Sequence, residues 1–501
     1  MAKTISLKNI TQTFLEKTIL DHASFRCTEG ERICIVGENG AGKSTLLKII
    51  AGMLEPTSGS IEKNAHIRTA YVAQEFSKSD MTLTVEAYML QYAGRSLSPK
   101  IYAIGKTLGF SLEKVRDQSC GLLSGGQQKI LALSVGIAIA PDFLLLDEPE
   151  NHLDIVSRRA LMRLLQVYKG GVLFVSHDRM MIDAVADKVV EVLHGKAYYS
   201  EGGYQEYIES KLSRIEGMQR QFDTESKRIR QLQANMGILE AKAFRGKEVS
   251  AYLKSKEELA DLKEKHRTGR PEDRKTKIVL KNDSAGFYDG RLLCRISDIA
   301  FKYPGARADT FRQVDLELRS GKLIVLVGRN GTGKSTFLKC LTGVLQPREG
   351  SVAWTEGVTH AYFDQHAEFN PAHTPLEAVR EALHCDEKRG RGALGRMKFD
   401  PKKMDTAIGS LSGGERMRVR FALVFGSNPD FIILDEPTNH LDEVTWEILA
   451  DACNNSASTI LLVTHDHEFI DALEDKLFWV IQHQTIKERH ADLEDIIAEL
   501  E

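Results

Sequence analysis

The chain has 501 residues, more than one hydrophobic core usually organises, so two domains plus a further element are expected. With 42% hydrophobic and 27% charged residues and a net charge of −3, the composition is that of globular domains. It argues against a protein that coats nucleic acid or a membrane surface along its whole length. Seven cysteines, with no CxxC pair and no clustered histidines, give no support to a metal or iron–sulfur centre and read as reduced thiols of a cytoplasmic protein.

From the N-terminus, AKTISLKNITQTF alternates apolar and polar residues as a strand does and lacks the long apolar core of a secretion signal. Next, ERICIVGENGAGKSTLLKII reads as a buried strand, a glycine-rich loop and a helix, the order of a phosphate-binding P-loop. Gly37, Gly40 and Gly42 let backbone N–H groups curl round phosphate oxygens, with Asn39 and Thr45 in the same loop. Lys43 is placed to reach the β- and γ-phosphates of ATP, and Ser44 offers a hydroxyl to Mg²⁺. Taken alone, the pattern also fits a glycine turn before a core helix. A second copy, with Gly328, Asn330, Gly331, Gly333, Lys334, Ser335 and Thr336, makes coincidence remote.

The same companions follow each loop. Gln74 and Gln365 end strand-like AYVAQE and AYFDQH segments, each 31 residues beyond its lysine, and are expected to ligand Mg²⁺ or position water. Ser124, Gly125 and Gly126, like Ser412, Gly413 and Gly414, precede helical sequence. Serine there is a good helix cap, but two glycines in both copies point to a clamp on the γ-phosphate. Asp147 and Asp435 end apolar strands and suit water-mediated Mg²⁺ binding, while Glu148 and Glu436 are candidates to orient the attacking water. His177 and His465 close further buried strands, where a histidine can be a core residue or a hydrogen-bond donor to the γ-phosphate. The first copy has Glu150 where the second has Thr438, so two competent but unequal sites are expected.

The order of motifs resembles the ATP-binding cassette superfamily, present twice. The resemblance implies an α/β fold of two tandem P-loop nucleotide-binding domains that close head to tail within one monomer. Gly37–Thr45 would then pair with Ser412–Gly414, and Gly328–Thr336 with Ser124–Gly126. It also implies an aromatic ring on the adenine, at Phe14 and Tyr303.

Between the motors, residues 211–281 hold 19 Lys and Arg against 11 Asp and Glu, a net +8 that leaves −11 on the remainder. Ile208, Ile215, Phe222, Ile229 and Met236 recur every seven residues, with Met218, Leu232 and Leu239 three further on, which predicts a long helix of about 45 Å with a coiled-coil seam. Gly246 would mark the turn, and Leu253, Leu259 and Leu262 an antiparallel return. The charges could serve solubility alone. A basic hairpin tipped by Lys242, Arg245 and Lys247 between two closing domains instead suits RNA and tRNA backbones. The domain boundaries are set at 1–207, 208–285 (the α-helical hairpin linker) and 286–501.

The longest apolar run, Ile130 to Ala140, falls short of the ~20 residues that span a bilayer, so no membrane segment is expected. Tandem cassettes joined by a charged hairpin, with DEPENHLD and DEPTNHLD motifs, resemble the ABC-F family of ribosome-associated translation ATPases. That resemblance implies a cytoplasmic, ribosome-bound protein whose linker approaches peptidyl tRNA, rRNA and the peptidyl-transferase centre. The spacings of 50 residues from Gln74 to Ser124 and 47 from Gln365 to Ser412 leave no room for the arm found in some members. The arm-poor form resembles the antibiotic-resistance, ribosome-protection branch. A housekeeping translation factor and the ATPase subunit of a separate transporter are the alternatives.

Overall fold

The computed structural model describes residues 2–15, 17–37, 40–244, 259, 290–305, 308–363, 369–439 and 441–500. The chain divides into two units: residues 1–199 together with 281–501, and residues 200–280.

In the first cassette, β1 (Thr4–Phe14), β2 (Lys17–Thr28), β3 (Arg32–Val36), α1 (Lys43–Ala51), β4 (Ser58–Lys63) and β5 (Thr69–Val72) are followed by a helical stretch of α2 (Val85–Ala93), α3 (Ser98–Thr107) and α4 (Gly125–Ala138). The chain then returns through β6 (Phe143–Asp147), α5 (Ile155–Gln166), β7 (Gly171–Val175), α6 (Arg179–Val185), β8 (Lys188–Leu193) and β9 (Lys196–Glu201). Strands β6 and β7 are buried at every residue, as uninterrupted apolar runs must be in the middle of a parallel sheet. They sit in the order β5-β6-β7-β3-β8-β9, with Ile33 beside Leu173 and Leu145 beside Leu173 in parallel register. The alternating β1 pairs with β2 and β4 in a separate antiparallel sheet, and its inward residues Ile5, Leu7 and Ile10 close one core over α1.

In the other unit, α7 (Tyr204–Phe244) runs 41 residues, on the order of 60 Å. It exceeds the expected 45 Å because the helical sequence begins before Ile208 and continues to Phe244. The heptad residues Ile208, Ile215, Phe222, Ile229 and Met236 are half-buried and Leu232 is buried, while flanking positions such as Glu216, Asp223 and Gln233 are exposed. Leu259 is helical and buried. The turn at Gly246 and the remaining return positions lie outside the described residues.

The second cassette repeats the plan: β10 (Leu292–Phe301), β11 (Phe311–Arg319), β12 (Leu323–Val327), α8 (Lys334–Leu341), β13 (Glu349–Trp354), β14 (His360–Phe363), α9 (Pro375–Leu383), α10 (Glu387–Arg396), α11 (Gly413–Gly426), β15 (Phe431–Asp435), α12 (Glu443–Asn454), β16 (Thr459–Val463), α13 (His467–Ala472), β17 (Lys476–Gln482), β18 (Thr485–Arg489) and a terminal α14 (Leu493–Leu500). Its main sheet has the matching order β14-β15-β16-β12-β17-β18. Among the described residues no helix is long and apolar enough to cross a membrane.

The two cassettes touch within their shared unit. Ile155, at the start of α5, joins the apolar core of the second cassette. Arg159 of α5 pairs with Glu494 of α14, and Arg179 of α6 pairs with Glu468 at 3.4 Å while its guanidinium lies 5.2 Å from the Trp446 ring centroid.

Candidate nucleotide sites

Each P-loop leaves a buried parallel strand and enters a helix at a left-handed glycine, Gly42 (φ 103°) or Gly333 (φ 105°). A side chain at Gly42 would strike Ile19 at 2.7 Å, and one at Gly333 would strike Thr310 at 2.4 Å, so the sharp turn and the close packing both require glycine. The lysines are buried and fold over their own loops. Lys43 Nζ donates to the Gly37 carbonyl at 2.7 Å, and Lys334 Nζ to the Gly328 carbonyl at 2.8 Å. Burial lowers the Lys334 pKa, opposed by the carboxylates of Glu436, Asp154 and Asp435.

In the first cassette the sheet brings the predicted metal residues to one place. Ser44 Oγ donates to Asp147 Oδ1 at 3.1 Å, Tyr71 OH to Asp147 Oδ2 at 2.9 Å, and Gln74 Nε2 to Glu148 Oε2 at 2.7 Å. The hydroxyl, carboxylate and amide oxygens of Ser44, Asp147 and Gln74 form a hard donor set suited to Mg²⁺. The second cassette has Tyr362 OH on Asp435 Oδ2 at 3.3 Å, with Ser335 exposed in the first turn of α8. Asn39 and Gln365 lie outside the described residues.

Glu148 and Glu436 follow their strands with φ of 46° and 49°, a left-handed backbone uncommon for a residue with a side chain. Each is pinned by its own N–H, donated to Val175 O at 3.0 Å and to Val463 O at 2.8 Å. The carboxylates have different company. Glu148 accepts from Gln74 and, at 2.5 Å, from Asn151 Nδ2; Glu436 Oε1 lies 3.3 Å from His465 Nε2. Burial pushes Glu436 up to about 7, opposed by Lys334 and Arg158, while burial holds the buried His465 neutral well below its ordinary range. His177, by contrast, is exposed. The aromatic candidates Phe14 and Tyr303 are 42% and 44% exposed, with Tyr303 OH 3.0 Å from Thr336 Oγ1.

The signature serines are helix caps in both copies. Ser124 Oγ accepts from Gln127 N while Gln127 Oε1 accepts from Ser124 N, and Ser412 and Glu415 reciprocate in the same way. Capping does not account for Gly126, which is crowded both by its own cassette and by the opposite one. A Cβ on Gly126 would lie 2.4 Å from the His152 carbonyl and 2.6 Å from Asn330 Nδ2, in the opposite P-loop. Asn330 Nδ2 donates to His152 O at 2.7 Å, and the Asn330 N–H donates to Asp154 Oδ2 at 2.7 Å. Asp154 uses its other oxygen to cap α5 through Ser157 N at 2.8 Å. The reciprocal contact would involve Asn39 and His440, both outside the described residues.

Sequence reasoning missed Asn151, Asp154, Tyr71 and Tyr362. The first two stand inside the repeated DEPxNHLD motif and the tyrosines inside AYVAQE and AYFDQH, so repetition itself was the available signal. It also missed Lys129, a lone cation in the apolar helix α4. Lys129 is buried, and its pKa falls to about 8 through burial, countered chiefly by Glu150.

The pattern described as ABC transporter matches residues 20–151 and 311–439. The chain is 32% identical to ATP-binding protein YdiF of Bacillus subtilis (strain 168), with 94% of this chain and 79% of that protein covered. It is 31% identical to ABC transporter F family member 5 of Arabidopsis thaliana, covering 95% and 75%. Among solved structures, the complex of archaeal ribosomal stalk protein aP1 and archaeal ribosome recycling factor aABCE1 superposes with a TM-score of 0.65 at 24% identity, over 98% of this chain and 92% of that one.

Proposed function

Since the chain belongs to the ABC-F family and is an ATPase with two cassettes, we propose that its cassettes close on ATP while it is bound to a ribosome, and that closure positions the basic linker near peptidyl tRNA and the peptidyl-transferase centre. The observation that carries this reading is the grip of Asp154 and His152 on Asn330. It brings the Ser124–Gly126 signature against the P-loop of the other cassette, the arrangement in which one bound nucleotide would bridge both halves of a monomer.

At each site the P-loop N–H groups and Lys43 or Lys334 bind the phosphates, and the signature of the opposite cassette completes the cage. Ser44, Gln74 and Asp147, with Ser335, Gln365 and Asp435 in the second copy, would hold Mg²⁺. That ion supplies neutralisation of phosphate charge. Glu148 and Glu436 orient the attacking water, and their left-handed backbone aims each carboxylate from the strand end. His465 is neutral and donates a hydrogen bond at the γ-phosphate; His177 takes that place in the first copy. Phe14 and Tyr303 stack on adenine.

The ribosomal partner is supported by the family, by the linker's net +8, and by structural neighbours such as ribosome-bound archaeal Pelota and ABCE1. The test is co-sedimentation with ribosomes of the Glu148→Gln/Glu436→Gln double variant in ATP. Retention in the ribosome pellet is expected, because slowed hydrolysis accumulates the closed form. Protein that stays free of ribosomes and pellets with membranes would overturn the reading in favour of a transporter subunit.

Within this reading we assign the linker to protection of translation against antibiotics, on the strength of the arm-poor layout. A drug-susceptibility panel with Lys242, Arg245 and Lys247 replaced by alanine should show lost protection. Unchanged susceptibility with intact ribosome binding would assign a housekeeping role in translation instead.

A further inference from the structure

Two buried charges stand in the first cassette where the second has neutral side chains. Lys129, five residues beyond Ser124, corresponds to Met417, five beyond Ser412; Glu150 corresponds to Thr438. Lys129 and Glu150 are each 4% exposed. The Lys129 ammonium donates to the carbonyls of Ala73 at 3.1 Å, Gln74 at 3.0 Å and Asp147 at 3.3 Å. Glu150 Oε1 accepts from Ser176 Oγ at 2.6 Å and from the His177 N–H at 3.4 Å, while its Oε2 is buried without a hydrogen-bond partner. In the second cassette Met417 packs against the apolar core and Thr438 Oγ1 meets Thr464 Oγ1 at 2.7 Å.

An ammonium buried where a thioether would serve for packing costs desolvation that only complete hydrogen bonding and a counter-charge can offset. Both are present. Its three protons go to two chain segments, the turn after β5 and the end of β6, and among the carboxylates that favour its charge Glu150 comes before Asp147, Glu148 and Glu75. The segments so joined carry Gln74 and Glu148, whose side chains meet at 2.7 Å.

We infer that Lys129 is a positioning residue for ATP hydrolysis in the first cassette: it ties the segment bearing Gln74 to the strand end bearing Asp147 and Glu148. The inference rests on the reading that Glu148 orients the attacking water. In the second cassette the Met417 thioether has no proton to donate in this way.

The test uses the full chain carrying Glu436→Gln, so that turnover comes from the first cassette. Lys129→Met should lower kcat by about tenfold or more with KM for ATP changed by less than about twofold, the pattern of a lost transition-state arrangement. Lys129→Arg should recover most of the rate. Lys129→Met/Glu150→Thr, which installs the neutral pair of the second cassette, should lose less than the product of the two single losses. In the reciprocal Glu148→Gln background the Lys129→Met loss should be at least about fivefold smaller. An unchanged kcat, equal losses in both backgrounds, or a rise in KM alone would overturn the inference. Should Lys129→Met not fold, Lys129→Arg against Glu150→Thr carries the comparison, and an arginine variant as slow as the threonine variant would overturn it. Full turnover by Glu148→Gln/Glu436→Gln would sink the reading of Glu148 itself, whatever Lys129 does.

Discussion

Glu148 and Glu436 hold a backbone conformation that costs a residue with a side chain on the order of 1–3 kcal/mol. Glycine at the same place would be free of that strain but would bring no carboxylate. Glu148→Gly and Glu148→Gln should therefore both lower turnover at the first site by about 10²-fold or more, yet the glycine variant should be the more stable by about 1 kcal/mol. Paired ATPase assays and denaturant melts check this. A second test concerns Gly126, whose missing Cβ makes room for His152 O and Asn330 Nδ2. Gly126→Ala should cut ATP turnover by about tenfold or more and also lower the melting temperature, because the clash falls on the His152 backbone of the same cassette as well as on Asn330 of the other.

At the scale of elements, the cassettes meet through α5 against α14 and α6 against α13. Arg179 sets its guanidinium 3.4 Å from the Glu468 carboxyl and in cation–π contact with Trp446, both partly sheltered from solvent. Arg179→Ala should destabilise the pairing by about 1–2 kcal/mol, visible as an earlier denaturant transition at unchanged secondary structure. These contacts were not legible in the sequence, whereas most elements that build the sites were. Glycine spacing, apolar runs ending in acids and capping serines are local signals, and two copies that keep the same 31-residue spacing from lysine to glutamine made them mutually reinforcing. The grip of Asp154 on Asn330 joins residues 176 apart in the chain, and nothing local in DEPENHLD says that one carboxylate oxygen caps a helix while the other reaches across. Nor does a glutamate announce a left-handed backbone, since that conformation is imposed by the strand end and the hydrogen bond to Val175.

For the whole molecule, Glu468 links cassette pairing to pH. Burial pushes its carboxyl up to about 8, with Arg179 opposing and Asp466, Asp178 and Asp183 adding to the rise. Folding thus raises this pKa above the ordinary 4.5, so the group's stabilising contribution is complete below about pH 4.5 and is lost as pH rises through about 8. The melting temperature of Glu468→Gln should accordingly fall less between pH 5 and pH 8.5 than that of the parent chain, as read by parallel thermal melts.

Asn330 gives the second P-loop a property that no single cassette could have. Its N–H and its amide are both engaged by the first cassette, at Asp154 and His152, so the rim of that nucleotide pocket is built from two domains. Separating the domains must break those bonds, so a nucleotide that binds the joined halves more tightly and a ligand that favours separation must weaken each other's binding by the same factor. Under the proposed function, nucleotide exchange at Lys334 is coupled to how often the halves part, and whatever grips the protein from outside would acquire, by linkage alone, a say in when its spent nucleotide leaves.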